Sequence, residues 1–242
     1  MISIKGLNNW GPSIVRSNLV VLLDAANDKS YSGTSSYWYD LSGNGNNAQI
    51  IGTASFSTTN KGSFYLNGTS TSPYQYMSIG NLGTFPDQGT IIFWFNPTVV
   101  ESYRNPLQLW SVGPYGGGNN SIRFEMDISG AFCVAVNYTY LSSDVHFYLN
   151  SGLTANKWYM VSLTWNKPLN RASGTLNGEQ KFTNESQTVW TATTIPNITI
   201  GGGYDTSRFL KGYLSSFMFY NRELSYSEVL TNYNAYKGRF GY

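Results

Sequence analysis

The sequence carries one cysteine and one histidine among 242 residues. With Cys133 alone, no disulfide framework and no cysteine-built zinc site are expected within one chain. With His146 alone, a three-histidine zinc site is excluded. Charge is scarce too. Charged residues make up 12% of the chain, against about a quarter in ordinary domains. The net charge is +2 and no run of Lys or Arg occurs, which argues against nucleic acid as a main partner. No segment is long and apolar enough to cross a bilayer, so no membrane insertion is expected. The opening Met1-Ile-Ser-Ile-Lys-Gly-Leu-Asn-Asn-Trp10 has no continuous apolar core, so it does not read as a secretory signal and synthesis in a cytoplasm is expected.

What the chain has instead is aromatic and β-forming. Aromatics are 16%, with 19 Tyr and 7 Trp, a bias that suits strands and also surfaces that stack on sugars. Short apolar or alternating runs recur between turn signals: Ala48–Ile51, 62–67, 74–79, 90–95, 107–112, 121–128, 131–137, 145–149, 158–165, 173–176, 180–182 and 198–200. Leu19-Val-Val-Leu-Leu-Asp24 does not alternate and is expected to be buried on both faces. Asn177-Gly178 is a type I′ hairpin signal, and Ser129-Gly130 joins a second hairpin. Turn spacing of about ten residues with almost no helix predicts an all-β, two-sheet antiparallel sandwich. The predicted domains are an N-terminal arm, 1–18, dispensable for the fold, and one domain, 19–242.

The end of the chain is the most specific stretch. Residues 212–220 read as a strand with Leu214, Ser216, Met218 and Tyr220 on one face and Tyr213, Ser215, Phe217 and Phe219 on the other. A helix follows. Ser225 and Glu228 have capping-box spacing, Leu224 can staple onto Val229, and Gly238 is the expected stop.

Taken in order, Leu22-Leu-Asp-Ala-Ala-Asn27, Trp38-Tyr-Asp-Leu-Ser-Gly-Asn-Gly-Asn-Asn47, Phe64-Tyr-Leu-Asn-Gly68, Ile91-Ile-Phe-Trp-Phe95, Trp158-Tyr-Met-Val-Ser-Leu-Thr-Trp165 and Ile200-Gly-Gly-Gly203 resemble a concanavalin A-like jelly roll of the laminin-G type. The block Tyr220-Asn-Arg-Glu-Leu-Ser225 with 232–240 is similar to the version in virion proteins of tailed phages. The resemblance implies two stacked antiparallel sheets with the first and last strands adjacent. It leaves function open, because lectins, glycosidases and inert decorations share the fold.

Glucan-cleaving relatives carry Glu-x-Asp-x-Glu on one strand, so that the carboxylates share a face. This chain has Glu125 and Asp127, but Ser129 stands where the third carboxylate would be. The alternation places Arg123, Glu125 and Asp127 on an outward face, expected to be solvated. Cys133 is expected to be a buried thiol and His146 a structural imidazole. Calcium, through Asp24 and Asp40, is the one cofactor candidate; an Asx turn at Asp40 is the competing reading. For sugar binding, three loops combine aromatics with amides and glycines: Tyr115 with Asn119, Tyr138 with Tyr140, and Tyr204 with Asp205, near Arg208.

These readings make the chain a non-enzymatic phage virion protein on the particle surface, decorating the head or attached to the tail. It would be oligomeric there, with other capsid or tail proteins as partners, the arm for docking, and host-surface glycans as a further ligand. A stand-alone lectin or adhesin is the alternative, and a glucan-cleaving hydrolase is a third reading.

Overall fold

A computed structural model describes residues 13–102, 106–110, 121–127, 129–137, 145–184, 194–202 and 208–242. In chain order come β1 (Leu19–Asp24), β2 (Tyr37–Trp38), β3 (Ala48–Ile51), β4 (Ser55–Ser57), β5 (Ser63–Asn67) and β6 (Tyr76–Ile79). Then follow β7 (Gly83–Thr84), β8 (Gln88–Pro97), β9 (Leu107–Trp110), β10 (Ser121–Met126), β11 (Phe132–Asn137) and β12 (Val145–Asn150). The chain continues with β13 (Tyr159–Asn166), β14 (Arg171–Leu176), β15 (Glu179–Asn184), β16 (Thr194–Ile195), β17 (Asn197–Ile200), β18 (Lys211–Tyr220) and α1 (Tyr226–Phe240).

The strands form two large sheets and one small ribbon. The back sheet runs β15-β14-β13-β8-β18-β5-β4, with β1 also paired to β18. The front sheet runs β12-β11-β10-β9-β17-β6-β3-β2, and β7 pairs with β16. All pairings are antiparallel among the described residues, and the first strand lies against the last, as the family resemblance implies. Asn177 and Gly178 both take positive φ, 51° and 78°, which is what a type I′ turn between β14 and β15 requires.

Alternation divides the apolar residues between two cores. Ile91, Phe93 and Phe95 of β8 point between the sheets, where they meet Phe124, Phe132 and Ile198 from the front sheet. Ile92 and Trp94 point the other way, into a second core under α1 with Val229, Tyr236 and Phe240. Phe147 stacks on Phe182 at 5.0 Å, joining β12 to β15.

β18 departs from strict alternation. A register shift between Leu214 and Ser216 puts Leu214 in the inter-sheet core with Phe217 and Phe219, not on the face of Met218 and Tyr220. The cause is a change of neighbour. Residues 211–214 pair with β5, residues 216–220 pair with β1, and Ser215 sits at the hand-over, its carbonyl taking Ala25 N–H. A bulge absorbs the offset.

The capping box forms as expected: the Ser225 side chain accepts from Glu228 N–H, and the Glu228 carboxylate accepts from Ser225 N–H. Gly238 is not the stop. The helix runs on to Phe240 and is capped by Gly241 at φ 88°. Phe240 stacks on Trp94 at 4.1 Å and Arg239 reaches Asp24 at 2.7 Å. Burying one such ring is worth about 1.5–3 kcal/mol, more than the roughly 1 kcal/mol that an internal glycine costs a helix.

The chain start is tied to this latch. Val15 N–H donates to Asn232 Oδ1 at 2.9 Å, and the Tyr220 hydroxyl donates to Val15 C=O at 2.8 Å. Residues 13–18 of the expected arm are therefore part of the packed structure; residues 1–12 lie outside the described residues.

Candidate functional site: the outer face of the front sheet

Pairing lines up one residue from every strand of the front sheet. The row is Tyr37, Gln49, Ser78, Thr199, Gln108, Arg123, Ala135 and His146. Seven of these eight are polar or aromatic. The adjacent row, Trp38, Ala48, Ile79, Ile198 and Ile122, lies in the inter-sheet core. A period of two thus gives the sheet an apolar inner face and a hydrogen-bonding outer face.

The outer face is open at its two edge strands and covered in the middle. Tyr37 is 42% exposed, Thr199 6% and Arg123 1%. Glu125 and Asp127 are buried as well, so the expectation of a solvated charged face is corrected. The alternation is right, but distant chain covers it. Arg208, arriving after β17, brings Nη1 to 3.6 Å from Glu125 Oε2. Arg123 Nε donates to the same oxygen at 3.1 Å, and His146 Nε2 lies 3.4 Å from Oε1.

Asp127 has a different task. Its Oδ1 accepts from Ser129 N–H at 2.8 Å, Ser129 Oγ at 2.6 Å and Ala131 N–H at 3.0 Å. Ser129 thus holds the β10–β11 turn. Burial pushes the Asp127 carboxyl up, but the bonds from Ser129, Tyr148 and Ala131 outweigh it and hold the group below its ordinary value. The bond that Tyr148 donates to Asp127 raises the Tyr148 hydroxyl in turn. The Tyr148 ring is 52% exposed and its centroid lies 6.1 Å from that of His146.

Cys133 is fully buried, as expected, with Sγ 3.6 Å from Glu125 C=O. Ligand atoms of Glu125, Cys133 and His146 all lie within 4.8 Å of one another, a grouping that spacing in the sequence did not suggest. Arg123 and Arg208 face the same carboxylate. A divalent cation there would meet two guanidinium charges, so the Glu125 carboxylate serves the arginines and the trio does not fit a metal.

The calcium candidates sit elsewhere. Asp24 Oδ1 accepts from Ala26 N–H and Arg239 Nη1. Asp40 Oδ1 accepts from Leu22 N–H and Ser42 N–H, and its Oδ2 from Ser42 Oγ and Asn46 N–H. Asp40 thereby anchors the 40–47 turn to β1, and an ion would have to displace these donors.

Tyr115, Asn119, Tyr138, Tyr140, Tyr204 and Asp205 lie outside the described residues. The strand ends that flank them are described. Ser121 pairs with Asn137, so the connections 111–120 and 138–144 leave the front sheet from the same end. The stretch 203–207 follows β17, which leaves from the other end, where Ile200 pairs with Leu107. The structure adds exposed rings that the sequence reading passed over. These are Tyr148 and the pair Tyr37–Tyr39, with centroids 6.4 Å apart. His146, Tyr148 and Asn150 alternate with Phe147 and Leu149, a signal that could have marked Tyr148 as outward.

Comparison with known proteins agrees with this architecture. A family model described as the concanavalin A-like lectin/glucanases superfamily matches residues 70–230. Domain 4 of AbnA, an extracellular GH43 arabinanase from Geobacillus stearothermophilus solved in complex with arabinotriose, superposes with a TM-score of 0.68 at 14% identity. That match covers 89% of this chain and 98% of the domain. The botulinum neurotoxin DC binding domain, solved with rat synaptotagmin II, gives a TM-score of 0.68 at 14% identity over 91% of this chain. A botulinum neurotoxin type C structure, whose cell entry depends on two ganglioside molecules, gives 0.64 at 14% identity, again over 91%. This chain spans about half the length of the toxin chains, 52% and 51%. No protein of curated function matches the sequence.

Proposed function

We propose, since this chain belongs to the concanavalin A-like lectin/glucanases superfamily, that it is a non-catalytic glycan-binding module whose site is the outer face of the front sheet. The observation that carries the reading is the register row of polar and aromatic residues across that sheet, with the Tyr37 and Tyr148 side chains exposed. A tyrosine ring packs on the apolar face of a pyranose, while amides and hydroxyls read its edges. The arabinotriose and ganglioside interactions of the similar structures lend support.

The carboxylates favour binding over hydrolysis. A retaining glycosidase needs two carboxyl groups about 5–5.5 Å apart, one of them protonated at rest. Here Glu125 is engaged by Arg123 and Arg208, Asp127 is held ionised by turn donors, and Ser129 caps that turn. The test is a glycan array with wild-type protein, Tyr148→Ala and Tyr37→Ala, extended to Tyr115→Ala and Tyr204→Ala for the loop candidates. Binding that falls in Tyr148→Ala supports the reading; no bound glycan, or release of sugar from laminarin, refutes it.

The C-terminal resemblance adds a location. On that ground we propose that the module sits on the exterior of a tailed-phage particle, docked to capsid or tail proteins through the arm. Mass spectrometry of purified particles decides this; absence of the chain leaves the stand-alone lectin.

A further inference from the structure

The outer face of the back sheet is sealed over one half only. Along β13 and the residue before it, the outward positions run Trp158, Met160, Ser162, Thr164. The first two lie in the core beneath α1, and the last two line an open groove. β14 follows suit with Ser173 and Thr175. The groove holds about 430 Å³ and is bordered by the first turn of α1, including Tyr226.

A hydroxyl taken out of water needs a partner. Ser162 and Thr175 supply one another at 2.7 Å. Thr164 is 5% exposed, yet no side-chain hydrogen bond ties it to the other described residues. Thr164 lines the groove, so its hydroxyl is open to a ligand or water there.

We propose that this groove is a second saccharide site, which takes one or two uncharged sugar rings on the side of the sandwich opposite the front-sheet face. The inference goes beyond the front-sheet reading and does not depend on it. Charge excludes the other small-ligand classes. Arg171 donates to both Glu223 oxygens at 2.9 and 2.7 Å, and Arg222 forks onto Glu228. Burial pushes Glu223 up, but the bonds from Arg171 and Asn166 keep it below its ordinary value. Each carboxylate of the lining is therefore paired with an arginine, Glu228 with Arg222 from outside the groove, and an anion would face two carboxylates. At the N-terminus of α1, which otherwise attracts anions, the Glu228 and Val229 N–H groups are taken by Ser225. An apolar molecule would strip water from the hydroxyl floor and return nothing. A sugar ring offers matching hydroxyls to that floor and an apolar face to Tyr226. The Tyr226 ring is 46% exposed and held by its hydroxyl on Gly178 C=O at 2.9 Å. The volume falls at the small end of the ligand-pocket range, about 300–1,000 Å³, which suits a mono- or disaccharide.

The test is amide chemical-shift mapping by NMR. Methyl glucoside, methyl galactoside, N-acetylglucosamine and cellobiose are titrated to about 20 mM, enough to detect a millimolar Kd. Glucuronate and glucose 6-phosphate are the charged comparators. Expected is that at least one uncharged sugar moves the amides of Ser173, Thr175 and the first turn of α1. Tyr226→Ala and Ser173→Gln, which remove the ring and fill the floor, should each weaken that response roughly tenfold. Tyr148→Ala should leave it unchanged, so failure of the front-sheet site and failure of this one are read separately. The same spectra report whether each variant is folded. The proposal is overturned if no uncharged sugar moves these amides, if the response survives both groove variants, or if the charged sugars bind as well.

Discussion

Replacing Asn232 by alanine should cost more than its place on a surface helix suggests. Asn232 and Tyr220 are fully buried, although asparagine is a poor residue for a helix interior. Its Oδ1 accepts from Val15 N–H at 2.9 Å and its Nδ2 donates to the Tyr220 hydroxyl at 3.1 Å, while that hydroxyl donates to Val15 C=O at 2.8 Å. Burial has pushed the Tyr220 phenol well above its ordinary range. Asn232→Ala breaks two of these three bonds and leaves Val15 N–H without its acceptor. At about 1 kcal/mol per bond, with about 1–3 kcal/mol for a buried group left unpaired, the loss is roughly 2–4 kcal/mol. For a domain of this size that lowers Tm by roughly 5–15 °C. Tyr220→Phe removes the hub of the same network. The double variant should therefore cost less than the sum of the singles, by about 1 kcal/mol or more. Guanidinium unfolding of the four proteins measures this, with Asn234→Ala on the exposed side of α1 as the control. Deleting residues 1–18 takes Val15 away and should carry a comparable penalty. An Asn232→Ala variant within about 0.5 kcal/mol of wild type, or strict additivity, refutes the reasoning.

Two further stability predictions and the two binding tests complete the set. The Arg222 guanidinium, followed by Ser225 N–H and hydroxyl, holds Glu228 down to about 2 against burial. Its contribution is present above the unfolded value near 4.5 and is lost as pH falls towards 2. Glu228→Gln should thus cost about 0.5–1 kcal/mol at neutral pH for this partly exposed pair, and the gap in unfolding midpoint should close by about pH 2; a constant gap refutes the assignment. Gly238 lies inside α1, and a methyl group added there would meet nothing within 4 Å, so Gly238→Ala should stabilise by about 0.5–1 kcal/mol. A drop in Tm would mean that the helix stops there.

Local signals were readable wherever the deciding atoms lie close along the chain. Ser225 and Glu228, three residues apart, announce their cap, and Asn177-Gly178 announces its turn. The 91–95 run shows by alternation that it feeds two cores. What escaped depends on partners remote in sequence. The bulge at Ser215 arises because β18 passes from β5 to β1. The run-on past Gly238 is set by Trp94 and Asp24, which wait for Phe240 and Arg239. Glu125 looks solvated until Arg208 is folded over it. Of the candidate sites, Asp24 and Asp40 can be followed into turn and latch bonds. The exposed Tyr148 was implicit in the pattern of β12. The sugar-loop candidates fall outside the described residues.

The last strand in the chain is an inner strand of its sheet, with β8 on one side and β1 and β5 on the other. While the ribosome is still reading, those three strands have no partner between them. The backbone groups that face β18, and the places of Leu214, Phe217 and Phe219 in one core and of Met218 and Tyr220 in the other, stay open until Tyr220 has emerged. A product that stops short of β18 therefore exposes unpaired edges on β8, β1 and β5, and such edges associate with one another.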